Sequence, residues 1–232
     1  MADQLDSERI EGERLLSRFG RLDPYWGPQV VVLAAILLDL TLSDHVSLVH
    51  PTWVVPSLEA LVLVALIIAT PYRRVRISPI RRRFALGVIA IVSLTNSISL
   101  VLLCHQLLHG SASTVAGGRA LLLSGIVLWV TNVLLFGVWY WELDRGGPIA
   151  RSRGEPDLPD FLFVQMTVPD QAPADWEPRL IDYVYTSFTN ATAFSPTDTM
   201  PLTAMAKSLM TVQSLTALVT IGLVVARAVN II

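Results

Sequence analysis

Tyr185-Thr186-Ser187-Phe188-Thr189-Asn190-Ala191-Thr192-Ala193-Phe194-Ser195-Pro196-Thr197 is a run of small, aromatic and hydroxyl-bearing residues. It is closed by Asp198 and stands just ahead of a long apolar stretch, Leu202 to Ile232. A short amphipathic segment, a turn and then a spanning helix is the pattern of a re-entrant hairpin. Irregular backbone at membrane depth survives only where protein buries it or where it lines water. Leu180 to Ala191 reads as a short helix, with Ile181, Val184, Tyr185 and Phe188 recurring on one face. Pro196 blocks its regular continuation.

The rest of the chain supplies the setting. Of 232 residues, 53% are hydrophobic and 16% charged, against roughly 25% charged in soluble domains. The missing charge is concentrated in long uncharged runs, which predicts an integral membrane protein. We read spans from Pro28 towards Val49, Trp53 to Thr70, Phe84 to Leu108, Ala120 to Trp141 and Leu202 to Ile232. Between the second and third lie Arg73, Arg74, Arg76, Arg81, Arg82 and Arg83. Such a run sets topology and attracts anionic lipid headgroups, and the positive-inside rule assigns it to the cytoplasm. Ahead of the first span, residues 1–27 mix acids and bases around Leu15, Leu16, Phe19 and Leu22, as an amphipathic cytoplasmic segment does. Gly146 and Gly147 suit a left-handed cap at the end of the fourth span, and Pro148 stops that helix. Residues 149–179 read as an irregular loop whose apolar patch is Phe161 to Val164.

Four polar residues fall within the spans. Asp39 and Glu59 are acids in apolar helices, where a mid-membrane charge costs about 2.5–3.5 kcal/mol on insertion scales. They serve either as a proton or cation relay or, near the ends of short spans, as wet residues; the second reading is the simpler. Asn96 and Asn132 read first as interhelical glue, a bond worth about 0.6 kcal/mol on average. His105 and His109, four apart, have no fitting carboxylate for a metal. Cys104 reads as a small buried hydrophobe. Small-residue pairs Ala204/Ser208, Thr216/Thr220 and Gly222/Ala226 suit a close helix contact on the last span. No catalytic motif, metal-ligand set or cofactor fingerprint is present, and the single basic run beside a span lacks the aromatics of a nucleic-acid surface.

The stretch from Asp182 to Thr203 resembles the pore helix and filter of the two-helix potassium-channel module. The match rests on Asp182, Tyr185, Ser187, Phe188, Thr192, Asp198 and Pro201, and on the order of pore helix, loop and spanning helix. Where that module has threonine-valine-glycine-tyrosine-glycine, this chain has Ala193-Phe194-Ser195-Pro196-Thr197. Both glycines are gone, and Pro196 fixes one φ and removes a donor. A ladder of carbonyls of the potassium type is therefore not expected. A constriction here would be wider, or lined by hydroxyls of Thr192, Ser195 and Thr197 with Asp198 near its mouth. The overall layout is also similar to a family of bacterial multi-pass membrane proteins ending in a comparable tyrosine-serine-phenylalanine-threonine segment, for which no activity is established.

These readings predict an all-α, multi-pass transmembrane helical bundle with a re-entrant, pore-helix-like segment. Its parts are residues 1–27, a four-span bundle over 28–148, the loop 149–179, and 180–232. The resemblances imply a protein of the bacterial inner membrane, contacting lipid and forming a homo-oligomer, tetrameric if it follows the channel module. In that assembly the 192–198 loop would pass a small ion. The alternative is a non-conducting scaffold or partner-binding subunit. Potassium channels admit this loop from outside, whereas the arginine count has it enter from the cytoplasm. We expect neither enzyme activity nor nucleic-acid binding.

Overall fold

The structure, a computed structural model, describes residues 26–42, 79–109, 115–152, 158–173, 176–192 and 198–231, with the helical positions 57, 60, 61 and 64. The amphipathic segment before residue 26, most of the second span with Glu59, the arginines Arg73, Arg74 and Arg76, and Ala193 to Thr197 lie outside the described residues. The elements are α1 (Trp26–Asp39), α2 (Pro79–His109), α3 (Val115–Leu143), α4 (Pro148–Ser152), β1 (Phe161–Phe163), α5 (Val164–Thr167), α6 (Leu180–Ala191), β2 (Thr199–Pro201) and α7 (Ala204–Ile231). Short 3-10 turns occupy Asp144–Gly146 and Pro169–Gln171.

Among the described residues, three helices are long and apolar enough to cross a membrane: Arg82–Gln106 in α2, Arg119–Gly146 running through α3, and Ala204–Ala226 in α7. α1 adds a shorter apolar helix. α3 is the central post. In its most apolar stretch 56% is buried, against 33% for α2 and 22% for α7, because α1, α2, α6 and α7 all pack on it. Its residues are apolar almost all round, as a helix enclosed by others requires.

Directions follow from contacts at the ends. Arg82, near the start of α2, donates from a guanidinium nitrogen to the carbonyl of Glu142 at the end of α3. Lower down, Leu103 of α2 lies against Gly125 of α3. These helices are therefore antiparallel. α7 starts beside Tyr140, with Ala206 and Met210 in one cluster with it, and reaches Gly125 through Val224. It too runs antiparallel to α3. Gly27 of α1 touches Leu180, and Leu42 packs against Leu100, Leu103, Leu121 and Leu128, so α1 also descends from the Arg82 end.

The end of α3 departs from the expected glycine cap. Gly146 and Gly147 do have positive φ, at 72° and 94°, but Arg145 is left-handed as well, at φ 50° and ψ 44°. A side chain there costs about 1–2 kcal/mol. Hydrogen bonds hold the turn: Asp160 Oδ2 accepts from Arg145 N at 3.0 Å, and the Asp144 carbonyl accepts from the Arg151 guanidinium at 2.6 Å. Pro148 ends one helix and begins the next, at the position where its missing N–H is harmless.

The apolar patch in the 149–179 segment is a strand. β1 pairs antiparallel with β2 in the register Phe161↔Pro201, Leu162↔Met200 and Phe163↔Thr199. The fold is thus helical with one two-stranded ribbon, and that segment is not wholly irregular. Phe161 and Phe163 are buried against Tyr183, Tyr140 and Trp176. Leu202 N donates to the Asp160 carbonyl at 2.8 Å, which extends the tie to the start of α7.

Candidate functional site around α6

α6 begins with a cap in which Asp182 Oδ2 accepts from Arg179 N at 2.7 Å. A carboxylate in the first turn also suits the positive end of the helix dipole. The helix then descends along α3. Tyr183 stands level with Asp144, Val184 with Gly137, and Ser187 with Val133, whose carbonyl accepts from the Ser187 hydroxyl at 2.7 Å. The close approach at Val184 depends on Gly137: a Cβ there would lie 2.9 Å from Val184 Cα and 3.3 Å from its nitrogen. Ala191, the last residue of α6, is buried with Val133 and Ala217. Val133 is near the middle of the Arg119–Gly146 span, and Ala217 near the middle of Ala204–Ala226. Eight residues after Ala191 the chain is back beside the helix, with Thr199 Oγ1 3.0 Å from Thr186 Oγ1.

A buried polar network fixes α6 to α3 and α7. Gln213 of α7 is fully buried. Its amide oxygen accepts from the Tyr140 hydroxyl and from Asn190 Nδ2. Its amide nitrogen donates to the carbonyl and the hydroxyl of Ser187, at 2.9 and 2.6 Å. Asn190 Nδ2 also donates to the Met210 carbonyl, and its Oδ1 accepts from Ser214. Three helices, α3, α6 and α7, thus meet at one amide. Gln213→Leu removes four hydrogen bonds; at about 0.6 kcal/mol each in a membrane helix bundle, the loss is about 2 kcal/mol. Thermal unfolding in detergent should register it, with Gln213→Glu no better because a carboxylate cannot donate to Ser187.

A second knot lies at the entry of α6. The Asp144 side chain is fully buried. Its Oδ2 accepts from the Tyr183 hydroxyl at 2.6 Å, and its Oδ1 from the backbone N–H of Asp160 and of Phe161, at 2.9 and 3.3 Å. Arg145 Nε is 3.5 Å from Oδ2. The Arg151 guanidinium lies over the rings of Trp141 and Tyr183. Asp160 Oδ1 in turn accepts from Thr203 at 2.6 Å.

Sequence-predicted residues divide as follows. Ser187 is spent on α3 and α7, and Asp182 caps its own helix. Thr192, the residue after the last turn of α6, donates to the Thr189 carbonyl at 2.9 Å. Tyr185 and Phe188 are about half exposed on the outer side of α6, with Ile181 above them. The Tyr185 hydroxyl donates to Asp198 Oδ2 at 2.9 Å. Phe188 also meets Trp129 edge-on, at 5.8 Å between ring centres. Asp39 is 4% exposed, so it is buried by protein and not wet at the end of its span. Asn96 and Asn132 are buried, yet neither amide oxygen has a hydrogen-bond donor among the described residues, so they are not glue to one another. Of the small-residue pairs on the last span, Thr220 is buried and Thr216 half-buried, whereas Ala204, Ser208, Gly222 and Ala226 are exposed; α7 also buries Ala206, Met210, Gln213 and Ala217. Tyr140, Gln213 and Asp144 are the site residues that sequence reading missed. A lone glutamine inside an apolar span was the available signal.

Among the described residues, no three His, Cys, Asp or Glu side chains gather to hold a metal ion. α6 begins at the end of the bundle that carries Arg82. Compared with protein-family models, curated proteins and solved structures, the chain finds no match in any of the three.

Proposed function

We propose that this chain is a multi-pass protein of the bacterial inner membrane in which α6 and the return to β2 form a re-entrant hairpin. We further propose that copies assemble so that the 192–198 segment borders a path for a small ion. One observation carries the reading: α6 ends at Ala191, buried at the middle of two span-length helices, and the chain is back beside Thr186 by Thr199. A helix that enters halfway, turns and hands over to a full-length apolar helix is the order of a pore module. The positive-inside rule supports cytoplasmic entry, because α6 starts at the arginine end. The hairpin is then inverted relative to potassium channels.

The outer side of α6 supports assembly. Ile181, Tyr185, Phe188 and Met200 are exposed there, and the Asp198 carboxylate sits among them on Tyr185. The competing reading is a non-conducting scaffold, favoured by the inward use of the Ser187 and Thr192 hydroxyls. Ion flux into proteoliposomes separates the two. Under the channel reading the wild type conducts, and Thr192→Val with Asp198→Asn changes the rate about tenfold, as loss of roughly 1.4 kcal/mol at the constriction requires. Wild-type vesicles no leakier than empty ones leave the scaffold standing.

A further inference from the structure

We propose that Asp39, Asn96, Thr131 and Asn132 form a binding layer for one sodium-sized monovalent cation between α1, α2 and α3, apart from α6 and the hairpin. The placement follows from shared neighbours. Ala35 and Ile36 of α1, Val92 of α2 and Leu135 of α3 meet in one buried hydrophobic cluster. One turn away from the Arg82 end, each helix brings its next residue to the same face. Those residues are Asp39 after Ala35, Asn96 after Val92, and Thr131 and Asn132 before Leu135 on the antiparallel α3. One turn further, Leu100, Leu103 and Leu128 form a second buried cluster, against which Leu42 packs. A polar layer is thereby closed above and below by hydrocarbon. The four residues are 4%, 4%, 0% and 3% exposed.

Their chemistry points to a hard cation. Asn96 Oδ1, Thr131 Oγ1 and Asn132 Oδ1 are buried with no hydrogen-bond partner among the described residues. Buried polar atoms are paired in most folds, and an exception calls for an ion or water. Here the unsatisfied amide atoms are both oxygens, which accept and cannot donate, so what completes them must be positive or must donate. Asp39 adds a carboxylate. Carboxylate and carbonyl oxygens select hard ions over zinc or copper. Calcium takes about six to eight oxygens, more than one carboxylate, two amides and a hydroxyl provide, and magnesium keeps several waters that a layer closed by hydrocarbon does not suit; a monovalent ion fits the set better. Asn96, Thr131 and Asn132 lie near the middle of their spans, the depth at which transporters place coupling-ion sites.

The test is retention of radioactive sodium by the purified full-length wild type in detergent. The expected result is about one ion per chain, displaced by unlabelled sodium chloride and not by choline chloride, with Asn96→Ala and Thr131→Val each weakening retention about tenfold. Sodium should also raise the melting temperature saturably over choline at equal ionic strength. Because the direct assay uses the wild type, a variant that fails to fold does not blunt it. No retention above the choline control at any pH from mildly acidic to alkaline overturns the proposal; a water or a protonated Asp39 in the ion's place gives that result. Retention unchanged in both folded variants overturns it too.

Discussion

Asp144→Ala should lower the stability of this protein by about 3–5 kcal/mol, the cost of breaking a buried, hydrogen-bonded charge site. Three donors converge on that carboxylate: the Tyr183 hydroxyl and the N–H groups of Asp160 and Phe161. Removing it strands all three in the interior and leaves Arg145 without its counter-charge at 3.5 Å. For a chain of this size the melting temperature should fall by roughly 6–20 °C. Asp144→Asn should cost less, since an amide oxygen can still accept from the two backbone groups while its NH2 cannot accept from Tyr183. Tyr183→Phe should cost about 1–2 kcal/mol alone. Combined with Asp144→Asn it should add less than the sum, because both changes break the same bond. Asp144→Ala melting within a degree or two of wild type would mean that the knot does not hold the entry of α6.

Gly137→Ala should also destabilise, although alanine is the better helix former by about 0.8–1 kcal/mol. The new Cβ meets the backbone of Val184, at 2.9 Å from Cα, and backbone cannot rotate aside. Overpacking of this kind costs typically about 1–3 kcal/mol, and Gly137→Val should exceed that by forcing α6 away from α3. Separation of the helices would break the Ser187 bond to Val133 and the Gln213 bonds together. The internal controls are Gly87 and Gly222, where an added Cβ would meet no described atom within 4 Å beyond the chain neighbours and the helix's own backbone. Alanine there should be neutral, or stabilising by up to about 1 kcal/mol. If Gly137→Ala and Gly87→Ala behave alike, α6 does not press against α3 as described.

Sequence reading reached the elements whose cause is local. α6 runs from Leu180 to Ala191, as its apolar spacing and Pro196 required. Three of the long apolar runs became α2, α3 and α7; α2 and α3 run a few residues past the expected ends, and α7 stops just within them. It did not reach features that arise where distant segments meet. Phe161 to Phe163 is a strand because Thr199 to Pro201 lies beside it, and a proline in the partner hides that pairing from any periodicity. Asp39 occupies the last turn of α1, and position along a helix says nothing about what the neighbouring helices do around it. The hydroxyls of Thr192, Ser195 and Thr197 suggested a lining; that of Thr192 donates to a carbonyl of its own helix, and the other two lie outside the described residues. Gln213 was visible as a polar residue in an apolar span, but its convergence with Tyr140, Ser187 and Asn190 depends on the register of three elements.

The account as a whole requires that the chain turn back between Ala191 and Thr199 without crossing. Single cysteines at Arg119, Ser195 and Lys207, in a Cys104→Ser background, can be labelled with a bulky impermeant maleimide in sealed vesicles of each orientation. Lys207 and Ser195 should react from one face of the membrane and Arg119 from the other. Ser195 reacting only from the face that labels Arg119 would contradict the hairpin.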